Sequence, residues 1–262
     1  MKYIYLGIIL SFVLLNSVFS QTTAKTDSLL LRAKKVLNES IEAWDDGAIL
    51  NSRAHLERLL KMDSTSFLCR YYIAYADFRL VSFYHSHSNN DKIEKAIEDA
   101  IKQLDKVIEL NPDFADAYAL LSNMYGEKIA VSPIKSIYYG PKAGSARGKA
   151  LDIEPDNPRA YLLDGTGKYF TPKLFGGGAE NAQASLLKAV ECFKSYKPKS
   201  VLYPDWGERE AYAWLGIIAK DMGDIDQAKT YFNQALEIDP DYGWVKYHLL
   251  PDLEKAMVKA DE

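Results

Sequence analysis

Cysteine, histidine and surplus positive charge are all scarce in this chain, and each shortage removes a class of function. Only Cys69 and Cys192 are present, and they form no CxxC pair. A disulfide-stapled scaffold and a thiolate zinc site are therefore both out of reach. The cysteines sit in "SFLCRYY" and "AVECFKS", apolar surroundings of helical pattern that predict buried free thiols. The four histidines are as uninformative. His85 and His87 lie together in "FYHSHSNND", but zinc wants three or four ligands, and His55 and His248 belong to distant segments. The stretch reads as a solvated loop whose residues 88–91 cap a helix starting at Lys92, and no metal site is expected.

Basic residues are outnumbered, 32 Lys+Arg against 36 Asp+Glu, for a formal charge of −4. Counted over the whole chain, that balance disfavours a nucleic-acid or anionic-membrane partner and leaves only local patches open. Strand alternation is missing, and so is the G-x-S-x-G elbow of a serine hydrolase. The acidic groups of "EAWDDGA" and "DMGDID" stand at helix ends, where the helix dipole accounts for them. The expectation is a non-enzyme without a cofactor.

Long apolar runs are absent after the first twenty residues, which predicts no stable membrane span in the rest of the chain. Those twenty are a separate matter. Lys2, an apolar run from Ile4 to Leu15 and the small-residue ending "NSVFSQ" read as a secretory signal cleaved near Ser20. No cysteine stands there to carry a lipid. The expected location is secreted or periplasmic.

What the chain does contain is a period. "ELNPD" at Pro112, "DIEPD" at Pro155 and "EIDPD" at Pro240 share one punctuation, and Pro198 falls between the last two. Proline following a helical stretch stops the helix, so the spacing of about 43 residues marks repeated units. The residues of "AYAWLGIIAKDMGDIDQAKTYFNQALEIDP" explain one unit in full. Gly216 and Ala228 are small where two antiparallel helices cross, Leu215 and Phe232 fill the space beside the crossing, and "DMGD" supplies the turn.

This unit resembles a tetratricopeptide (TPR) repeat, with Leu215, Gly216, Ala228, Phe232, Ala235 and Pro240 at the family's positions. Tyr212 replaces the family's tryptophan and Ala219 its tyrosine. Looser copies carry Tyr118, Leu121, Tyr125, Ala143 and Ala150, then Tyr161, Gly165, Ala182, Leu186 and Ala189. The resemblance is to secreted bacterial TPR proteins, and "TPKLFGGG" before an "A…LLKA" helix is similar to the TPR T components of TRAP-type transporters. It implies an all-α solenoid of about five helix-turn-helix units in a right-handed superhelix. The units are expected near 27–64, 65–112, 113–155, 156–198 and 205–240, with a capping helix over 241–260. The extra lengths at 129–140 and 194–207 are expected as inserts between helices.

Gly176, Gly177 and Gly178 then fall in an inter-helix turn. A phosphate-binding loop would need a lysine and a serine or threonine after the last glycine and a strand before the first; here Ala179 and Glu180 follow. By resemblance helix A of each unit lines the concave face. The implied partner-binding residues are Asn123 and Glu127 in the third unit, Arg159 and Tyr169 in the fourth, and Glu210, Ile217 and Lys220 in the fifth. Their mixed polarity suits a protein or peptide partner in an interaction scaffold. The 18 tyrosines and 10 phenylalanines leave a second reading open, a small-ligand accessory of a transport or envelope-assembly system.

Overall fold

The computed structural model describes residues 25–260; the expected leader and its expected cleavage point near Ser20 lie outside the described residues. Every regular element among the described residues is helical. The first helix, α1, covers 25–42. It is followed by α2 (Asp46–Met62), α3 (Phe67–Ser86), α4 (Asn90–Leu110), α5 (Ala115–Val131), α6 (Ser136–Ile153), α7 (Pro158–Phe170), α8 (Ala179–Ser195), α9 (Glu208–Asp221) and α10 (Ile225–Ile238). A π-helical turn, Val245–Leu249, leads into α11 (Leu250–Ala260).

Consecutive helices pack as antiparallel pairs, α3 on α4, α5 on α6, α7 on α8 and α9 on α10. A buried hydrogen bond between Ser40 and Ser52 ties α1 to α2. The pairing follows from amphipathic spacing. In α4 the buried residues are Ile93, Ala96, Ile97, Ala100, Leu104 and Val107, one stripe at steps of three and four. In the fifth pair a methyl group on Gly216 would overlap the Phe232 ring, so the crossing tolerates only glycine. Side-chain caps start the helices: Asp45, Ser66, Asn89, Asn157 and Asp224 each accept a backbone N–H of the first turn. Each such cap contributes about 1 kcal/mol.

Two details differ from the sequence reading. Residues 129–140 are not a loop: α5 continues to Val131, a short 3-10 turn covers Pro133–Lys135, and α6 begins at Ser136. Pro141 stands inside α6 as its sixth residue, where it removes the N–H that would bond to the Ile137 carbonyl. His85 is likewise in the last turn of α3, not in a loop. Both cysteines are buried free thiols, as read, and burial pushes the Cys69 thiol up to about 12.

The core runs along the stack as three clusters. One cluster joins α1 to α5 with parts of α6 and α7, a second joins α7, α8 and α9, and a third joins the last pair to the cap. Helix α3 is buried on nearly every side, including Tyr71, Tyr72 and Tyr75. That burial needs a covering element, and none of the paired helices supplies it.

Candidate functional site

The covering element is the segment between α8 and α9. Residues 201–206 run through the inner face of the array like a strap. Leu202, Tyr203 and Trp206 pack against the first core cluster, and the Trp206 indole stacks on Tyr75 at 4.8 Å. The backbone of the strap is held by side chains from three helices. Lys34 Nζ donates to the carbonyls of Val201 (2.9 Å) and Tyr203 (2.8 Å) and to Asp205 (2.8 Å). The Tyr72 hydroxyl donates to the Leu202 carbonyl at 2.8 Å, and Arg159 donates to the Trp206 carbonyl at 3.3 Å. The Trp206 indole N–H finds the Tyr71 hydroxyl at 3.2 Å. Burial raises the Tyr71 and Tyr72 hydroxyls well above their ordinary value, so both stay neutral.

This strap decides which of the expected contact residues are accessible. Arg159, 1% exposed, is locked on Asp116 at 2.5 Å. Burial alone would lower its pKa, but the adjacent Asp116 charge raises it instead. Breaking such a buried pair costs about 3–5 kcal/mol. Glu210 is 7% exposed and faces Arg79 at 3.8 Å across the array. Arg159, beneath the strap at Trp206, and Glu210, beside Arg79, are therefore framework residues closed to a partner.

The C-terminal halves of α5, α7 and α9 are open. Asn123 and Glu127 stand half-buried on α5, with Asn123 Oδ1 lacking a hydrogen-bond partner. Glu127 binds His85 of α3 at 2.9 Å. On α7 the Tyr169 hydroxyl donates to Asp221 of α9; burial first, then that carboxylate, pushes the phenol up to about 12. Ile217 and Lys220 continue this face on α9, both half-buried. Beside them runs a chain of rings centred on Trp214, a residue that the sequence pattern had not singled out. Trp214 stands 5.7 Å from Tyr169, 5.8 Å from Phe170 and 5.6 Å from Trp244. Its sequence signal was available, since Trp214 directly precedes the Leu215-Gly216 pair.

The three glycines do form the turn between α7 and α8. Gly176 and Gly178 have φ of +82° and +95°. The N–H groups of Gly176, Gly177 and Gly178 donate to the carbonyls of Lys173, Pro172 and Lys168, at 3.0, 3.2 and 2.9 Å. A phosphate cradle needs those donors free, and here the turn itself consumes them. The cavity lined by Leu30, Leu59, Met62 and Cys69 at the other end of the molecule measures about 20 Å³, room for one water.

Comparison with known proteins places this architecture. Residues 210–242 match the tetratricopeptide repeat family. The chain is similar in structure to the HusA haemophore from Porphyromonas gingivalis, with a TM-score of 0.63 and 23% identity over 74% of this chain and 93% of that one. It is also similar to a thermophilic TPR protein of Thermus thermophilus, with a TM-score of 0.58 and 19% identity over 87% and 98% of the two chains. No curated protein matches the sequence. The fold is a TPR-like helical repeat.

Proposed function

We propose that the protein is a non-enzymatic interaction scaffold, exported to the bacterial periplasm or envelope, that holds a peptide or protein partner on the open half of its concave face. Export rests on the leader of the first twenty residues. The binding face rests on one observation: the strap fills the inner face at the N-terminal ends of the A helices and leaves their C-terminal halves uncovered. There Asn123, Glu127, Tyr169, Ile217 and Lys220, all half-buried, combine polar groups, charges of both signs and apolar area. Mixed polarity beside an aromatic anchor such as Trp214 suits a protein surface.

The test is a triple substitution, Asn123→Ala, Tyr169→Ala and Lys220→Ala, compared with the wild type by affinity capture and circular dichroism. A stoichiometric partner is expected with the wild type and is lost from the variant, with helicity unchanged. A partner retained in full by the variant would refute the assignment. Arg159 is left out, because its removal would unfold the stack whether or not it binds anything.

A second reading is favoured by the ladder of Tyr169, Phe170, Trp214 and Trp244. A flat apolar ligand, of the haem type carried by a haemophore, would stack on those rings. Native mass spectrometry of the protein purified from cells separates the two: a retained small molecule supports the second, a bare chain with a captured protein the first.

A further inference from the structure

Two neighbouring turns expose apolar side chains to an unusual degree. At the tip between α5 and α6 stand Ile134, Ile137 and Tyr138; at the tip between α7 and α8 stand Phe170, Leu174 and Phe175. Their exposures run from 60% for Tyr138 to 88% for Leu174. Helices α5 and α7 pack side by side as the first helices of successive hairpins, so they run the same way and both tips emerge on one edge. The tips are thus about one helix spacing, roughly 8–10 Å, apart. Apolar surface gathered on one edge of a soluble array marks a contact site.

The same two stretches are free of acid. Residues 128–151 and 165–179 hold no Asp or Glu, while they carry Lys128, Lys135, Lys142, Arg147, Lys149, Lys168 and Lys173 in a chain of formal charge −4. Most of this charge is offset from behind: Lys128 binds Glu98 at 2.7 Å, Lys135 binds Glu94 at 3.0 Å, Arg147 and Lys168 share Asp164, and Lys173 binds Glu180 at 2.9 Å. Lys142 instead meets the Tyr138 hydroxyl at 2.6 Å. The frames are firm. The 3-10 turns and the glycine hydrogen bonds hold each tip outward, so the exposed side chains have no core to fold back onto.

We propose that this edge docks on a bilayer surface carrying anionic lipids, with Ile134, Ile137, Leu174 and Phe175 entering the acyl boundary and the flanking lysines at headgroup level. Three features select a bilayer. The side chains project convexly, which suits a yielding medium more than a preformed protein pocket. The lysines stand where a long stem can keep its ammonium among the phosphates while its methylenes lie in the apolar layer. The opposite edge carries the acidic turns "NPDF", "EPDN" and "DPDY", and on the edge of the tips acid stands at the outer hairpins, in "DDG" and "DMGD", so the attraction of an anionic surface centres on the two tips. No helix among the described residues is long and apolar enough to span; the mode is insertion of tips. The open half of the concave face plays no part in it.

The experiment is co-sedimentation of the purified protein with phosphatidylcholine vesicles, with and without phosphatidylglycerol. Binding is expected with the mixed vesicles, weaker with phosphatidylcholine alone and reduced by salt. The double variant Leu174→Ser, Phe175→Ser is expected to weaken partition about ten-fold or more, since apolar area drives insertion. Both side chains are exposed, so helicity should not change. The variant Lys135→Gln, Lys142→Gln should lose the phosphatidylglycerol preference. Absence of binding to either vesicle, or binding that the double variant leaves intact, overturns the proposal. Loss of a protein contact or of self-association in the double variant, without vesicle binding, overturns it too and assigns the edge to that contact.

Discussion

At Gly177 a methyl group has nowhere to go, because a Cβ there would overlap the carbonyl oxygen of Thr171. At Gly176 the surrounding space is open and only the φ of +82° is at stake. Two alanine substitutions one residue apart should therefore differ. Gly177→Ala forces the turn apart and is expected to cost about 3 kcal/mol or more, whereas Gly176→Ala pays only for a left-handed backbone, about 1–2 kcal/mol. Urea denaturation of both variants checks this, and equal losses would mean that the turn rearranges freely. A second residue-scale prediction concerns His85. Its pKa is raised, chiefly by the hydrogen bond to Glu127, with burial opposing. A histidine whose folded value exceeds its unfolded one of about 6.5 stabilises the fold fully below that pH and loses the contribution as pH rises through the folded value. An NMR titration of His85 should give a raised value in the wild type and a lower one in Glu127→Gln. Identical titrations would remove the link between α3 and α5 from the account. The link also bears on the open face, since rising pH releases Glu127 for a partner.

At the scale of elements, what could be read from the sequence is what local chemistry dictates. Helices α4, α6 and α10 stop at Leu110, Ile153 and Ile238, each two residues before the proline of its punctuation, because proline disfavours helix in the residue before it. The close crossing at Gly216 and the turn at Gly176, Gly177 and Gly178 were legible for the same reason: each needs a residue without a Cβ at a stated place. The path of residues 201–206 was not legible. Their partners, Lys34 and Tyr72, lie 130 to 171 positions away, and no periodicity encodes such a contact. Its trace was nevertheless present in "CRYYIAYADF", a helix without a polar face, which in a two-layer stack implies cover on a third side. Missing that cover is what placed Arg159 and Glu210 at the surface. Residues 129–140 misled in the opposite direction, since a proline and glycine pair reads as a loop unless the helix start is known to fall at Ser136.

Over the whole molecule the strap changes the kind of object this is. An ordinary repeat array is quasi-one-dimensional: each unit touches its neighbours, and the ends fray first. Here Lys34 on α1 grips the strap, Glu42 on α1 pairs with Arg209 on α9, and Arg79 on α3 faces Glu210. The first unit is therefore fastened to the fifth as well as to the second. A net charge summed over all residues conceals a local asymmetry, the two acid-free tips against the acidic turns opposite. The fastening predicts a specific pattern of amide hydrogen exchange. Trp206→Ala removes the ring stacked on Tyr75 and should cost about 3–5 kcal/mol as a large core truncation. Protection should fall first and most in α1 and α2, which lose their anchor, while α9 and α10 keep theirs through the third core cluster. Tyr72→Phe, which deletes one hydrogen bond to the strap at a cost of about 1 kcal/mol, should show the same order of loss in a milder form and serves if the first variant does not fold. If protection instead falls evenly along the chain, the strap is a passive filler and the array is open after all.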